Sequence, residues 1–158
     1  MGLDMYINYT NRTNHSIEEM LAIDNTEKLN PDTAAAAEFL PLREYQFLKD
    51  AFSIFHQGAY WRKANAVHAW FVDNVQKGVD DCGYYDVTTE DLEKLKSICQ
   101  QAIKSKKTDM LQPRSGFFFG STTVDEYYWD DLKSTVKQID TLLKMDWSKH
   151  RFFYHSSW

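Results

Sequence analysis

The chain has 158 residues, of which 43% are hydrophobic and 15% aromatic, and its formal net charge is −5. This length predicts a single domain spanning 1–158, and the apolar content excludes an intrinsically disordered chain. The acidic balance argues against nucleic acid as a partner, because non-specific binding of nucleic acid requires a cationic surface. No apolar run approaches the roughly 20 residues that span a bilayer, so we expect no membrane partner.

The N-terminus predicts the compartment. It begins MGLDMYINYT, which contains neither a basic region nor the apolar stretch of a secretory signal. We therefore expect a cytoplasmic protein.

The first predicted element is a strand. Leu3, Met5 and Ile7 alternate with the more polar Asp4 and Tyr6, which is the two-residue period of a half-buried strand. An isolated strand of this length is not stable in water, so it needs a partner strand elsewhere in the chain.

A variable, loop-rich segment follows at about 8–40, where asparagine and threonine are frequent. Within it we predict one short helix over Ser16–Ala22. Ser16 and Glu19 have the spacing of a capping box, in which each side chain accepts a hydrogen bond from the other residue's backbone N–H.

Two adjacent helices are predicted in the middle of the chain. Apolar residues at helical spacing over Leu42–Phe55 predict the first, which ends near Gly58. A second pattern predicts a helix over Ala59–Gln76, ended by Gly78.

Two further helices have clear N-terminal signals. Thr88 followed by Asp91 predicts the start of a helix that runs to about Ser105. Thr122 followed by Asp125 predicts the start of the last helix in the same way.

The C-terminal residues Arg151–His155 are aromatic and predict a second strand, with Trp158 as an anchor that docks it onto the core. Because neither terminal strand is stable alone, we expect the two to pair. The predicted fold is therefore α+β, a small sheet formed by the N- and C-terminal strands and packed against about four helices.

The helix predicted over Ala59–Gln76 carries the main candidate site. Trp61, Asn65 and His68 fall on one stripe of this helix, and Arg62 lies beside them. This combination indicates a pocket for a planar or anionic ligand, with the Trp61 indole stacking and Arg62 or the adjacent Lys63 supplying charge. The alternative interpretation is that Asn65 and His68 are core polar groups with internal hydrogen-bond partners.

A catalytic or metal site is the second possibility. His68 could serve as a general base oriented by Asp81, or could bind a metal with Asp80 and Asp81. Counted from Asp80, however, the residues do not follow the register of an EF-hand loop. Since no nucleophile, phosphate-loop or dinucleotide motif is present either, we assign no catalytic residue, metal or cofactor.

The run Phe117–Phe119 lies between two glycines. In an extended strand, Phe118 would face the side opposite to its two neighbours. An exposed Phe118 would mark a partner surface, whereas core packing is the alternative.

Long segments of the sequence resemble a family of small, uncharacterised phage and prophage proteins. The resemblance lies in MGLDMY (1–6), YWRKANAVHAWFVDNVQKGVDDCGYYDV (60–87), SGFFFGST (115–122), DEYYWDDL (125–132) and YHSSW (154–158). The segment 9–57 departs from the family pattern. The resemblance implies expression in the cytoplasm of a bacterial host and implies no reaction or cofactor.

These observations together predict a phage accessory protein of the anti-defence type that binds without catalysis. It would block a host protein or sequester a small, anionic, nucleotide-like ligand, using Trp61, Arg62, Asn65, His68 and Phe118. The alternative is a small hydrolase of phosphorylated or nucleotide substrates with His68 as its base. An exposed aromatic surface would equally suit a homodimer.

Overall fold

The computed structural model describes residues 2–12, 14, 16–24, 55–116 and 118–158. This part of the chain contains four strands and four helices, so the predicted α+β class is confirmed. In chain order the elements are β1 (Asp4–Asn11), α1 (Ile17–Asp24), β2 (His56–Arg62), α2 (Asn65–Asn74), β3 (Tyr85–Val87), α3 (Thr89–Ser105), α4 (Glu126–Leu142) and β4 (His150–Ser157). None of the helices in these ranges is long and apolar enough to cross a membrane.

The strands form one antiparallel sheet in the order β2-β1-β4-β3. β1 pairs with β4 from Asp4 opposite Ser157 to Asn11 opposite His150, so the predicted pairing of the N- and C-terminal strands is confirmed. β2 and β3 extend the sheet on its two sides, and the sequence analysis predicts neither of them. The terminal strands are therefore the centre of a larger sheet.

One hydrophobic core lies between the inward face of the sheet and the helices α2, α3 and α4. Met5 and Ile7 of β1 are fully buried, as their alternation predicts. Phe152 and Tyr154 of β4 lie on the same face, and Phe71 of α2 stacks on the Tyr154 ring at 4.0 Å between centroids. Flat packing of these two rings fixes the position of α2 over the sheet.

The opposite face of the sheet carries α1. The predicted capping box is confirmed, since the Ser16 hydroxyl accepts from the Glu19 N–H at 3.2 Å and the Glu19 carboxylate accepts from the Ser16 N–H at 2.8 Å. Met20 of α1 packs with Phe153, which lies between two inward residues of β4 and therefore points to the other face.

The predicted helix over Ala59–Gln76 is wrong in its first part. Ala59–Arg62 belong to β2, where Ala59 and Trp61 pair with residues of β1 and are buried. Lys63 then adopts a left-handed φ of 59°, which ends the strand, and the helix begins only at Asn65. In the sequence, four residues with alternating burial resemble residues at helical spacing. Only the pairing with β1 distinguishes a strand from a helix at these positions.

The boundaries on either side of this region also differ from prediction. The predicted helix end near Gly58 is wrong because His56–Gly58 are part of β2, while most of the helix predicted over Leu42–Phe55 lies outside the described residues. α2 ends at Asn74, before the predicted stop at Gly78. Gly78 nevertheless has a positive φ of 82°, and its N–H donates to a carbonyl of the last turn.

Further along the chain, the predicted start of α3 is confirmed and the predicted start of α4 is wrong. Thr88 and Asp91 form the predicted capping box. The N-cap of α4 is Asp125, which accepts from the Tyr128 N–H at 3.1 Å, and not the predicted Thr122. Before Asp125 the chain forms a loop in which the Ser121 carbonyl accepts from Asn65 of α2 and the Ser121 hydroxyl accepts from the Thr123 N–H.

Edge strand β2 is joined to α4 by two side-chain hydrogen bonds. The Tyr60 N–H donates to Gln138 Oε1 at 2.8 Å, and the buried Trp61 indole donates to Thr135 Oγ1 at 2.9 Å. The Thr135 hydroxyl in turn donates to the carbonyl of Asp131 at 2.7 Å. These bonds cover a free sheet edge and set the register between strand and helix.

We predict that the Trp61–Thr135 pair is energetically coupled. Trp61→Phe removes the indole donor and should lower the free energy of unfolding by about 1 kcal/mol, whereas Thr135→Val leaves a buried donor without an acceptor and should cost about 1–3 kcal/mol. In a urea-denaturation double-mutant cycle, Trp61→Phe should cost less in the Thr135→Val background than in the wild type. Strict additivity of the two changes would contradict the coupling.

Candidate functional site

A cavity of about 310 Å³ lies where β2 ends, α2 begins and the first turns of α4 pass by. Its volume is at the lower end of the range for small-molecule sites, roughly 300–1,000 Å³. The residues that give it its chemical character are Arg62, Lys63, Asn65, Asp125, Tyr127 and Asp131. We take this cavity as the candidate functional site.

Other concavities lie on the described surface, and two of them are larger than this cavity. One, of about 490 Å³, lies beside Trp70 and Arg114, and Arg114 is already paired with Asp73 at 2.6 Å. The other, of about 460 Å³, lies along the end of α3 beside Met110. Neither is lined by the predicted site residues Trp61, Arg62, Asn65, His68 and Phe118.

The connection from β2 to α2 forms the cationic wall of the cavity. Lys63 is held at its left-handed backbone angle by a 2.8 Å hydrogen bond from its N–H to the Leu3 carbonyl. Its side-chain stem passes over Gly120, where an added Cβ would lie only 3.3 Å from the Lys63 Cβ. A left-handed lysine costs about 1 kcal/mol or more, so the surrounding contacts must enforce this geometry.

The first turn of α2 opens onto the same wall. Its N-cap, Ala64, provides no side-chain cap, so the partial positive charge of the helix N-terminus is not neutralised by this residue. Asn65, only 5% exposed, donates through Nδ2 to the carbonyls of Phe119 at 3.2 Å and Ser121 at 2.8 Å. These bonds hold the loop that closes the cavity against the start of the helix.

The two cations of this wall are weakly engaged within the described part of the chain. Arg62 has a 60% exposed side chain, lies 3.9 Å from the Asp4 carboxylate, the outer limit of an ion pair, and also interacts with the Tyr60 hydroxyl, which bonds to Asp4. Lys63 forms no ion pair with any described residue. Both cations are therefore available to an anionic ligand at little cost in broken contacts.

The α4 wall carries carboxylates. Asp125 is used as the N-cap of the helix. Asp131 is partly buried, and no described residue donates a hydrogen bond or forms an ion pair with its carboxylate. Burial raises the pKa of Asp131 to about 6, and the neighbouring carboxylates of Asp130 and Asp125 add to this effect. A partly desolvated charge without a partner is typical of functional sites.

The structure brings together only part of the predicted site. Arg62 and Asn65 line the cavity, but Trp61, His68 and Phe118 do not. The Trp61 side chain is almost fully buried with its indole bonded to Thr135, so it presents no ring face to a ligand.

The described part of the phenylalanine run is not extended. Phe118 and Phe119 lie in a turn, and Phe117 lies outside the described residues. Phe119 is buried against the His68 ring at 4.9 Å, while Phe118 is half-buried and its carbonyl accepts from the Leu3 N–H at 3.1 Å. The backbone of Phe118 thus connects this turn to the residue before β1.

His68 belongs to a buried polar chain. Its Nε2 lies 3.0 Å from the Asp80 carboxylate and its Nδ1 lies 2.7 Å from the Tyr154 hydroxyl. A neutral ring that donates from Nε2 and accepts at Nδ1 satisfies both neighbours. Burial lowers the pKa of His68, although the Asp80 hydrogen bond opposes this shift. The interpretation of His68 as a core polar group accounts for these contacts.

The aspartates near His68 have separate roles. Asp80, rather than the expected Asp81, lies beside the imidazole, and its other oxygen accepts from the Trp158 indole at 3.1 Å. Asp81 accepts from the Gly83 N–H and the Tyr85 hydroxyl instead. Trp158 remains 45% exposed, and besides the bond to Asp80 its ring lies edge-on to the buried Phe119 ring at 6.1 Å between centroids. Among the described residues, no group of three or more histidines, cysteines or carboxylates could hold a metal ion.

Sequence reasoning missed Asp131 and Tyr127. Asp131 lies three residues after Tyr128 and four before Thr135, both of which are buried. Its position at the margin of the buried stripe of α4 was a signal that this carboxylate is partly enclosed. Tyr127 shows no such signal, since its side chain is 81% exposed.

We predict that Asp131→Asn stabilises the protein at pH 7.5 by about 1–2 kcal/mol, because the amide does not carry the cost of a partly buried charge. The native pKa of about 6 exceeds the usual 3.8, so this cost is present above pH 6 and absent below about pH 4. Urea denaturation at both pH values measures the effect. Asp130→Asn, an exposed change beside it, should alter stability by less than about 0.5 kcal/mol. Equal or lower stability of Asp131→Asn at pH 7.5 would contradict the electrostatic assignment.

We also predict that His68→Gln destabilises the protein by about 2–3 kcal/mol at pH 7.5 and by less at pH 5. The native pKa of His68 lies below 6.5, so its contribution is complete above pH 6.5 and declines as the pH falls through the native pKa. Burial also lowers the pKa of His155. Because this residue is present in both proteins, its effect on stability cancels when the two are compared. A difference that does not change between the two pH values would refute this prediction.

Comparison with protein-family models, curated proteins and solved structures finds no match for this chain. A function therefore has to be inferred from the cavity and from the charged groups that surround it.

Proposed function

We propose that this protein is a non-enzymatic binding protein that holds a small, phosphate-bearing, nucleotide-like ligand in the cavity between β2, α2 and α4. The observation that carries the proposal is the convergence of Arg62, Lys63 and the uncapped start of α2 on one wall of the cavity. Helix N-termini, guanidinium groups and lysine ammonium groups are all features that proteins use to bind phosphate.

The rest of the cavity suits a ligand with a planar group. Tyr127 is 81% exposed and lies at the rim, where its ring can stack on a base. The Asn65 side chain is already bonded to two loop carbonyls, so it shapes the site and leaves charge recognition to Arg62 and Lys63. A cavity of about 310 Å³ matches a ligand of mononucleotide size.

Binding is better supported than turnover. The base of the alternative hydrolase, His68, is fully buried, and both of its ring nitrogens are engaged by Asp80 and Tyr154. It lies outside the lining of the cavity, and a general base must come within hydrogen-bond reach of the proton that it removes.

The resemblance to phage and prophage proteins supplies the biological context of the proposal. A phage protein that sequesters a nucleotide would act on a ligand made by its bacterial host, which is the anti-defence role. Blocking a host protein is the alternative form of the same role, and it would not depend on the charges inside the cavity.

We predict that isothermal titration calorimetry detects binding of at least one nucleoside monophosphate among AMP, GMP, CMP and UMP. Arg62→Ala should weaken this binding about tenfold or more, because it removes a charged phosphate donor. Lys63→Gly should weaken it similarly without loss of stability, since glycine adopts the left-handed backbone angle of this position at low cost.

The matched control is Arg114→Ala, which removes an arginine outside the cavity. Absence of binding to all four nucleotides, or equal losses in the Arg62 and Arg114 variants, would overturn the proposed function. Native mass spectrometry of the purified protein tests the same point independently, because a retained nucleotide adds mass that is lost on denaturation.

A further inference from the structure

We infer that the ligand of this cavity is a guanine nucleotide and that Asp131 recognises its base. The inference rests on the proposed function and adds the identity of the base to it. It depends on the position of the Asp131 carboxylate and on the hydrogen-bonding groups that a carboxylate can pair with.

Of the two carboxylates that line the cavity, Asp131 is the one without a hydrogen-bond or ion-pair partner among the described residues. Asp125 is occupied as the N-cap of α4, and Asp130, on the neighbouring turn surface, pairs with Lys133 at 2.7 Å. No described residue donates to Asp131, and the cations Arg62 and Lys63 belong to the opposite wall. A ligand that brings hydrogen-bond donors to this carboxylate would offset the cost of its burial.

The register between β2 and α4 places the two ends of such a ligand. Tyr60 bonds to Gln138, and the next residue of β2, Trp61, bonds to Thr135, which lies earlier in α4. Along this contact, β2 and α4 therefore run in opposite directions. The next turn of α4 contains Asp131, which lines the same cavity from the α4 side. A phosphate at the β2 end would leave the base facing α4.

An ionised carboxylate has only acceptors, and its two oxygens pair best with two adjacent donors. Guanine presents such an edge, formed by its N1–H and its 2-amino group. The corresponding edges of adenine and cytosine pair one amino donor with a ring-nitrogen acceptor, and uracil has a single N–H between two carbonyls. Recognition by Asp131 therefore favours guanine over the other common bases.

Tyr127 completes the base site. It lies four residues before Asp131 on α4, so the two side chains lie on the same face of the helix, one turn apart. The exposed phenol ring can stack on a purine whose edge is bonded to the carboxylate.

The test is a change of base specificity. Wild-type protein should bind GMP at least tenfold more tightly than AMP, and IMP, which lacks the 2-amino group, should bind with intermediate affinity. Asp131→Asn should lose about 10- to 100-fold in affinity for GMP and gain affinity for XMP. An asparagine offers one acceptor and one donor, which match the N1–H and 2-carbonyl of xanthine.

The matched control is Asp130→Asn, which should keep the wild-type preference. Loss of GMP binding by unfolding is excluded if Asp131→Asn melts at or above the wild-type temperature. If AMP binds as tightly as GMP while Arg62→Ala still weakens both, the guanine inference is wrong and the proposed function stands. If no nucleotide binds to the wild type, both are wrong.

Discussion

The antiparallel pairing of β1 with β4 is the contact on which the rest of the structure depends. It joins residues from opposite ends of the chain, from Asp4 opposite Ser157 to Asn11 opposite His150. This pairing creates the inward face on which the helices α2, α3 and α4 pack, and it gives β2 an edge to join. The cavity exists because β2 ends beside α4, so the site is a consequence of the pairing of the two chain ends.

The junction between β2 and α4 contains two kinds of polar residue, those with a hydrogen-bond partner inside the fold and one without such a partner among the described residues. Trp61 and Thr135 bond to each other inside the core, where an unpaired donor would cost free energy. One turn earlier, Asp131 is left without a partner among the described residues, and burial raises its pKa to about 6. Proteins retain a destabilising charge where function uses it, and the proposed function gives the Asp131 carboxylate such a use.

The buried chain from Tyr154 through His68 to Asp80 shows how polar residues can be structural in an apolar core. Each ring nitrogen of His68 has one partner, and the indole of Trp158 uses the remaining oxygen of Asp80. This arrangement connects α2, β4, the loop after α2 and the last residue of the chain. The sequence predicts His68 as a ligand-binding residue because it lies on a predicted helix together with Arg62. In the structure, His68 does not line the cavity.

The sequence by itself determined features that depend on near neighbours. Capping residues three positions apart identified the starts of α1 and α3, alternation identified β1, and two of the named candidate residues, Arg62 and Asn65, line the cavity. Only the tertiary structure decided that Ala59–Arg62 form a strand and that Asp131 faces the cavity. The physical reason is distance along the chain, because Trp61 and Thr135 are 74 residues apart and no local pattern specifies such a hydrogen bond.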